Sequence, residues 1–239
     1  MCTVTLVSLN KNSFILTSNR DEAIGRKTLP IASYNYGTKR LLFPKDEVGG
    51  GTWIAASDQQ TMICLLNGGF ENHIKTHNYR HSRGVVVTDI LSEPKLWEAM
   101  ENYNCQNLEP FTLVGVDWNN ELRFYEMVWD GKQKHLQELN PDIMHVWSSS
   151  TLYTNEMKQL RKDWLADFKL NNPLNENSII EFHKTGGIGN EYYDLCIKRG
   201  DLQTRSITQV CVNDGDVKMR YEDLVINQTF ENSFETVKI

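Results

Sequence analysis

The chain has 239 residues, 40% of them apolar and 23% charged, with 15 glycines and 6 prolines. This is a globular composition that can bury a core without metal or disulfide staples, and it excludes collagen-like, low-complexity and wholly disordered chains. Against 25 Lys and Arg stand 31 Asp and Glu, a net charge of −6, which repels phosphate backbones and argues against a nucleic-acid partner.

No apolar run reaches the ~18–20 residues of a membrane span. The first apolar stretch breaks at Ser8, Asn10 and Lys11 and has no basic segment before it, so no secretory signal is expected. Five cysteines (Cys2, Cys64, Cys105, Cys196 and Cys211) stand far apart with no CxxC pair. That spacing argues against a disulfide framework and a structural zinc site, and a reducing cytoplasm is the expected compartment.

Cys2–Leu9 and Ser13–Ser18 are rich in Thr, Val, Leu and Ile around an Asn-Lys-Asn turn, which predicts an antiparallel hairpin. Thr52–Ser57 with Thr61–Leu66, and Phe111–Asp117 with Glu121–Val128, predict two more. A helix is expected from Pro94 to Tyr103, with Leu96, Trp97 and Met100 on one face. Asn155–Leu170 carries the clearest helical stripe, Met157, Leu160, Trp164, Leu165 and Phe168. A shorter helix over Asn177–His183 ends at Gly186-Gly187, and late strands are expected at Thr204–Val212 and Val217–Tyr221. No repeat or linker divides the chain, so the pattern reads as one α+β domain over residues 1–239.

Cys2 carries the most chemistry. Met1 is removable when the next side chain is small, and the chain would then begin with a thiol and a free α-amine on one residue. With a pKa of roughly 7.7–8, that amine can take the thiol proton and generate a nucleophilic thiolate. Position 2 alone reads equally as a small buried strand residue. The hairpin, however, brings Asn19-Arg20-Asp21-Glu22 back beside it. There a guanidinium would favour thiolate and a carboxylate would orient the ammonium.

Met1-Cys2-Thr3, Asn19-Arg20-Asp21-Glu22, Phe43-Pro44-Lys45-Asp46-Glu47, Gly50-Gly51-Thr52-Trp53 and Leu65-Leu66-Asn67-Gly68 together resemble the NRDE family, which includes the transport and Golgi organisation type. Tyr79-Arg80-His81-Ser82-Arg83-Gly84 and Thr204-Arg205-Ser206-Ile207-Thr208 extend the likeness to about residue 210. That family is similar to the cysteine-type N-terminal nucleophile (Ntn) hydrolases, among them bile salt hydrolase, penicillin V acylase and acid ceramidase relatives. The resemblance implies a four-layer αββα sandwich and hydrolysis of a non-peptide amide C–N bond in a small-molecule amide or acyl substrate, with no cofactor or metal. It implies Cys2 as nucleophile, Arg20 and Asp21 as the charged pair beside it, and Asn67 as an oxyanion donor. Ser149 stands where relatives often carry Asn, and offers one donor where an amide offers two. Arg205 matches a late-strand arginine near the thiol.

Other motifs point elsewhere. His73, His77 and His81 are spaced by four, as a metal- or haem-binding helix face would need, but Glu71–Arg83 lacks apolar periodicity and reads as a solvated loop. The alternative reading of the resemblance is a non-catalytic haem or lipid/acyl binding and trafficking protein that retains the fold, although no Cys-Pro haem motif is present. Gly49-Gly50-Gly51 and Gly186-Gly187-Ile188-Gly189 lack the Lys-Ser/Thr ending of a phosphate loop. The first is expected to be a flexible strand entry or a close approach of backbone near Cys2.

Overall fold

The computed structural model describes residues 3–76 and 78–236. Six strands come first: β1 (Thr3–Asn10), β2 (Ser13–Ala23), β3 (Thr28–Tyr36), β4 (Lys39–Asp46), β5 (Ile54–Ser57) and β6 (Thr61–Asn67). Helices α1 (Arg83–Ser92) and α2 (Leu96–Asn102) follow, then β7 (Phe111–Asp117), β8 (Arg123–Trp129), β9 (Lys134–Leu139) and β10 (His145–Ser148). Helices α3 (Asn155–Asn171) and α4 (Glu176–Thr185) precede β11 (Lys198–Arg199), β12 (Leu202–Asn213), β13 (Asp216–Asp223) and β14 (Gln228–Glu235).

The strands form two antiparallel sheets. One runs β10-β1-β2-β12-β13-β14, with β11 beside β12, and the other runs β3 through β9 in chain order. Three expected hairpins are present, but β2 continues five residues past Ser18. It does so because β12 pairs along it from Ser13 to Ala23, so the NRDE segment is central strand rather than turn. Asp214 and Gly215, at φ 48° and 98°, make the tight turn joining β12 to β13.

The sheets pack face to face. Val4, Leu6, Phe14 and Leu16 of one join Ile54, Met62, Leu113 and Phe124 of the other in the main core. Helices cover the outer faces. Helix α4 seals Val7, Ile15 and Cys211 beneath Ile179, and α1 lays Val86, Val87 and Ile90 on the opposite sheet. The result is the four-layer αββα order implied by the resemblance. Capping fixes where three helices start: Ser82 accepts from Gly84 N–H, Thr154 from Met157 N–H, and Asn175 forms a reciprocal box with Ser178. No helix among the described residues is long and apolar enough to cross a membrane.

Helix α1 approaches the start of β5 through bare backbone. Thr52 N–H donates to Gly84 O at 3.2 Å, and a Cβ on Gly51 would collide with the Gly84 main chain. The triple-glycine segment therefore serves helix packing.

Candidate active site

Successive residues of a strand point to opposite faces, and β2 shows what that does to a charged motif. Phe14 and Leu16 face the inter-sheet core while Ile15 faces α4. Arg20 continues the first face; Asn19 and Asp21 continue the second. The expected Arg20–Asp21 pair is thus divided by its own sheet.

On the inter-sheet face, Arg20 is almost fully buried. Its Nη2 meets Asp46 Oδ2 at 2.7 Å, and its guanidinium lies 4.7 Å from the Trp53 ring centre. Arg20 Nη1 is buried with no hydrogen-bond partner among the described residues. Asp46 also binds Arg26 Nε at 2.9 Å and accepts the Val48 and Gly49 N–H groups. Burial pushes the Asp46 carboxyl up, but the Gly49 N–H and the two guanidiniums outweigh it and hold the group below the usual carboxylate range.

Arg20, Arg26, Asp46, Trp53, Asn67 and Arg83 border a small cleft of ≈ 90 Å³. Asn67 ends β6, and its half-buried side-chain amide makes no hydrogen bond among the described residues. Its backbone carbonyl accepts Ser149 Oγ–H at 2.6 Å. Ser149 Oγ also lies 2.9 Å from Thr151 Oγ1. A hydroxyl has one proton to give, so here Ser149 braces Asn67.

On the helix face, Asp21 accepts Tyr153 O–H at 2.6 Å and Thr204 Oγ1–H at 2.5 Å. Tyr153 in turn lies under the guanidinium of Arg161, 3.8 Å from its ring centre. Arg161 is completely buried. It donates to Thr3 Oγ1 and to the carbonyls of Met157, Tyr193 and Asp194 at 2.9–3.2 Å. Asn19 is held by His183: the imidazole Nδ1 lies 2.5 Å from Asn19 Oδ1, and Nε2 lies 2.8 Å from Thr5 Oγ1. Total burial pushes His183 down to about 3.

Arg205 sits at a bulge where β12 passes Arg20 and Asp21. It donates to the Ile24 carbonyl and to Asp223 Oδ2, and it does not border the cleft.

The start of β1 ties these groups together. Thr3 pairs with Asn19 on one side and Ser148 on the other, so Arg20 and Ser149 are the next residues of its two neighbouring strands. Cys2, which precedes Thr3 in sequence, lies outside the described residues, as does His77. The structure brings Arg20 and Asn67 into one cleft, with Ser149 bracing the second. Asp21 is placed behind the sheet and Arg205 to the side.

Sequence reasoning did not assign roles to Asp46, Trp53, Tyr153 or Arg161. A signal for Arg161 exists: it stands midway between Met157 and Leu165, four residues from each, on the apolar stripe of α3. The described histidines of the 73–81 segment lie in non-helical chain. There His73 Nε2 meets Glu109 at 3.2 Å and His81 Nδ1 meets its neighbour's carbonyl. No group of three metal-ligating side chains occurs among the described residues.

With this geometry established, known proteins provide the comparison. No curated protein matches the chain by sequence. Among solved structures, the fold is similar to a Caenorhabditis elegans N-acylethanolamine-hydrolyzing acid amidase ortholog. The TM-score is 0.59 at 13% identity, covering 87% of this chain and 92% of that one. It is also similar to a variant of conjugated bile acid hydrolase from Clostridium perfringens, with TM-score 0.53 at 9% identity and coverage of 99% and 98%. A second mutant of that hydrolase gives 0.54 at 9% identity, with coverage of 98% and 92%. At such identities the likeness is one of fold, the Ntn-hydrolase fold. Residues 1–223 match the family described as Transport and Golgi organisation 2, and the chain belongs to that family.

Proposed function

We propose that this chain is a cysteine-type Ntn hydrolase that cleaves the C–N bond of a linear, non-peptide amide. The observation that carries this reading is the pairing of two donors without a hydrogen-bond partner among the described residues, the buried Arg20 Nη1 and the half-buried Asn67 amide, at one cleft beside the start of β1. Buried donors without partners are costly, and a site that meets a developing negative charge gives them one.

In this reading Met1 is removed and Cys2 supplies both thiol and α-amine. The amine takes the thiol proton, and sulfur adds to the substrate carbonyl carbon. Negative charge then gathers on the carbonyl oxygen, which accepts a hydrogen bond from Asn67. The C–N bond breaks, the α-ammonium returns its proton to the leaving amine, and a thioester remains. Water hydrolyses the thioester, releasing the carboxylic acid and restoring the thiol. Arg20 favours the thiolate, and Asp21, fixed by Tyr153 and Thr204 behind the sheet, acts as a positioning residue that steadies β2. Arg205 supports the bulge beside them, and Ser149 holds Asn67 in place.

Intact-mass measurement should show a chain lacking Met1, alkylated by iodoacetamide at Cys2 near neutral pH. Cys2→Ala should keep the circular dichroism spectrum and lose all turnover of an amide found by screening. Full activity in that variant would overturn the mechanism.

A further inference from the structure

Asp46 divides its two carboxylate oxygens between different tasks. Oδ1 accepts the Val48 and Gly49 N–H groups at 3.0 and 2.7 Å and so braces the loop that follows β4. Oδ2 receives the guanidiniums of Arg20 and Arg26 at 2.7 and 2.9 Å. The loop needs only an acceptor oxygen, whereas the guanidiniums are matched by a charge.

Arg20 is the more tightly enclosed of the two, its side chain 3% exposed against 37% for Arg26. Asp46 holds its Nη2, and the Trp53 ring lies 4.7 Å from the guanidinium carbon. A planar guanidinium fixed at one nitrogen and over one ring has its remaining nitrogen fixed as well. That nitrogen is Nη1, which is buried with no partner among the described residues. Other charges surround the pair. Glu22 Oε2 is 4.0 Å from Arg20 Nη2 and 3.2 Å from Arg26 Nη1. Arg83 borders the same cleft and is paired with Glu109 at 3.3 Å. Tyr221 of β13 is buried 6.4 Å from the Trp53 ring. Glu22 is therefore the rival acceptor to which Arg20 turns if Asp46 lets go.

We infer that Asp46 is a positioning residue, which clamps Arg20 by Nη2 so that Nη1 is left to the Cys2 thiolate. The inference rests on the hydrolase reading, in which Arg20 favours that thiolate. Charge alone and positioning predict opposite signs for the loss of Asp46. Removing a negative charge adds positive potential and lowers the thiol pKa; releasing Arg20 toward Glu22 takes the guanidinium from the thiolate and raises it. Asp46→Asn separates the two effects. It keeps an oxygen for the Val48 and Gly49 N–H groups but turns an amide N–H₂ against two guanidiniums, which are themselves donors.

The pH dependence of Cys2 alkylation by iodoacetamide, followed by peptide mass, reads the thiol without a substrate. Arg20→Gln should raise its midpoint by about half a pH unit or more. Asp46→Asn should raise it by a comparable amount, and the double variant no further. Arg20→Lys keeps the charge but has one nitrogen where the fork has three, so it cannot be clamped and aimed at once. It should raise the midpoint too, an arm that does not depend on Asp46→Asn folding. A midpoint unchanged or lowered in Asp46→Asn, or one unchanged in Arg20→Lys, would overturn the inference and leave the hydrolase reading standing. An unchanged midpoint in Arg20→Gln would overturn the placing of the thiol beside Arg20, and the inference with it.

Discussion

The two faces of β2 treat polar groups in opposite ways. On the helix face every polar side chain named above is tied to the fold: Asn19 to His183, Asp21 to Tyr153 and Thr204, and Thr3 to Arg161. On the inter-sheet face Arg20 keeps a buried nitrogen without a partner among the described residues, and across the cleft no described residue binds the Asn67 amide. A fold gains stability by satisfying buried polar groups, whereas a site needs groups that are satisfied only when ligand or transition state arrives. One strand thus carries satisfied polarity on one side and, among the described residues, unsatisfied polarity on the other.

This contrast breaks most readily at Arg161. Replacing it with Met removes donors from two loop carbonyls and Thr3, and chemical denaturation should show a loss of about 3 kcal/mol. A change below about 1 kcal/mol would mean that the helix face is not where polar stability resides. His183 comes next. An imidazole held neutral with a folded pKa of about 3 binds no proton above that pH, while the unfolded chain takes one below ~6.5. The His183 contribution to stability should therefore be flat above pH 7 and fall as pH drops through 6.5. Between pH 6.5 and 5 the loss should be about 2 kcal/mol. His183→Gln should remove that slope in denaturation curves taken above the carboxylate range. The smallest structural effect belongs to Asn67. Asn67→Ala should leave the unfolding midpoint within about 0.5 kcal/mol, because no described bond is lost. The same variant should lower turnover on any amide that the unsubstituted protein cleaves, by about a hundredfold or more. Large destabilisation with unchanged turnover would reverse the assignment of the two faces.

The central strands were legible because burial on both faces filled them with Val, Ile, Leu and Thr. The strands not anticipated are the internal β4, the two-residue β11 and those at the sheet margins, β3, β9, β10 and β14. The marginal strands need pairing on one edge only, and β3 even accommodates Pro30. Helix α1 was hidden by its Val85-Val86-Val87 run, a strand-like composition that Ser82 and the packing on β5 turn into helix. At the site, Arg20, Asp21 and Asn67 were legible as residue types. Their division between faces was not, because it depends on β2 continuing past Ser18, which the distant β12 enforces. The supporting groups Asp46, Tyr153 and Arg161 come from two segments outside β2, the end of β4 and the stretch from Tyr153 into α3, and only the fold assembles them.

The Ser149–Asn67 contact joins the end of β10 in one sheet to the end of β6 in the other. Asn67 is thereby latched to the sheet that carries β1, so its reach is gauged against β1 rather than against its own strand. If the two layers of the sandwich breathe apart, this clasp carries Asn67 along with β1 and β10, and the spacing between Asn67 and Thr3 outlasts motion that would otherwise blur it.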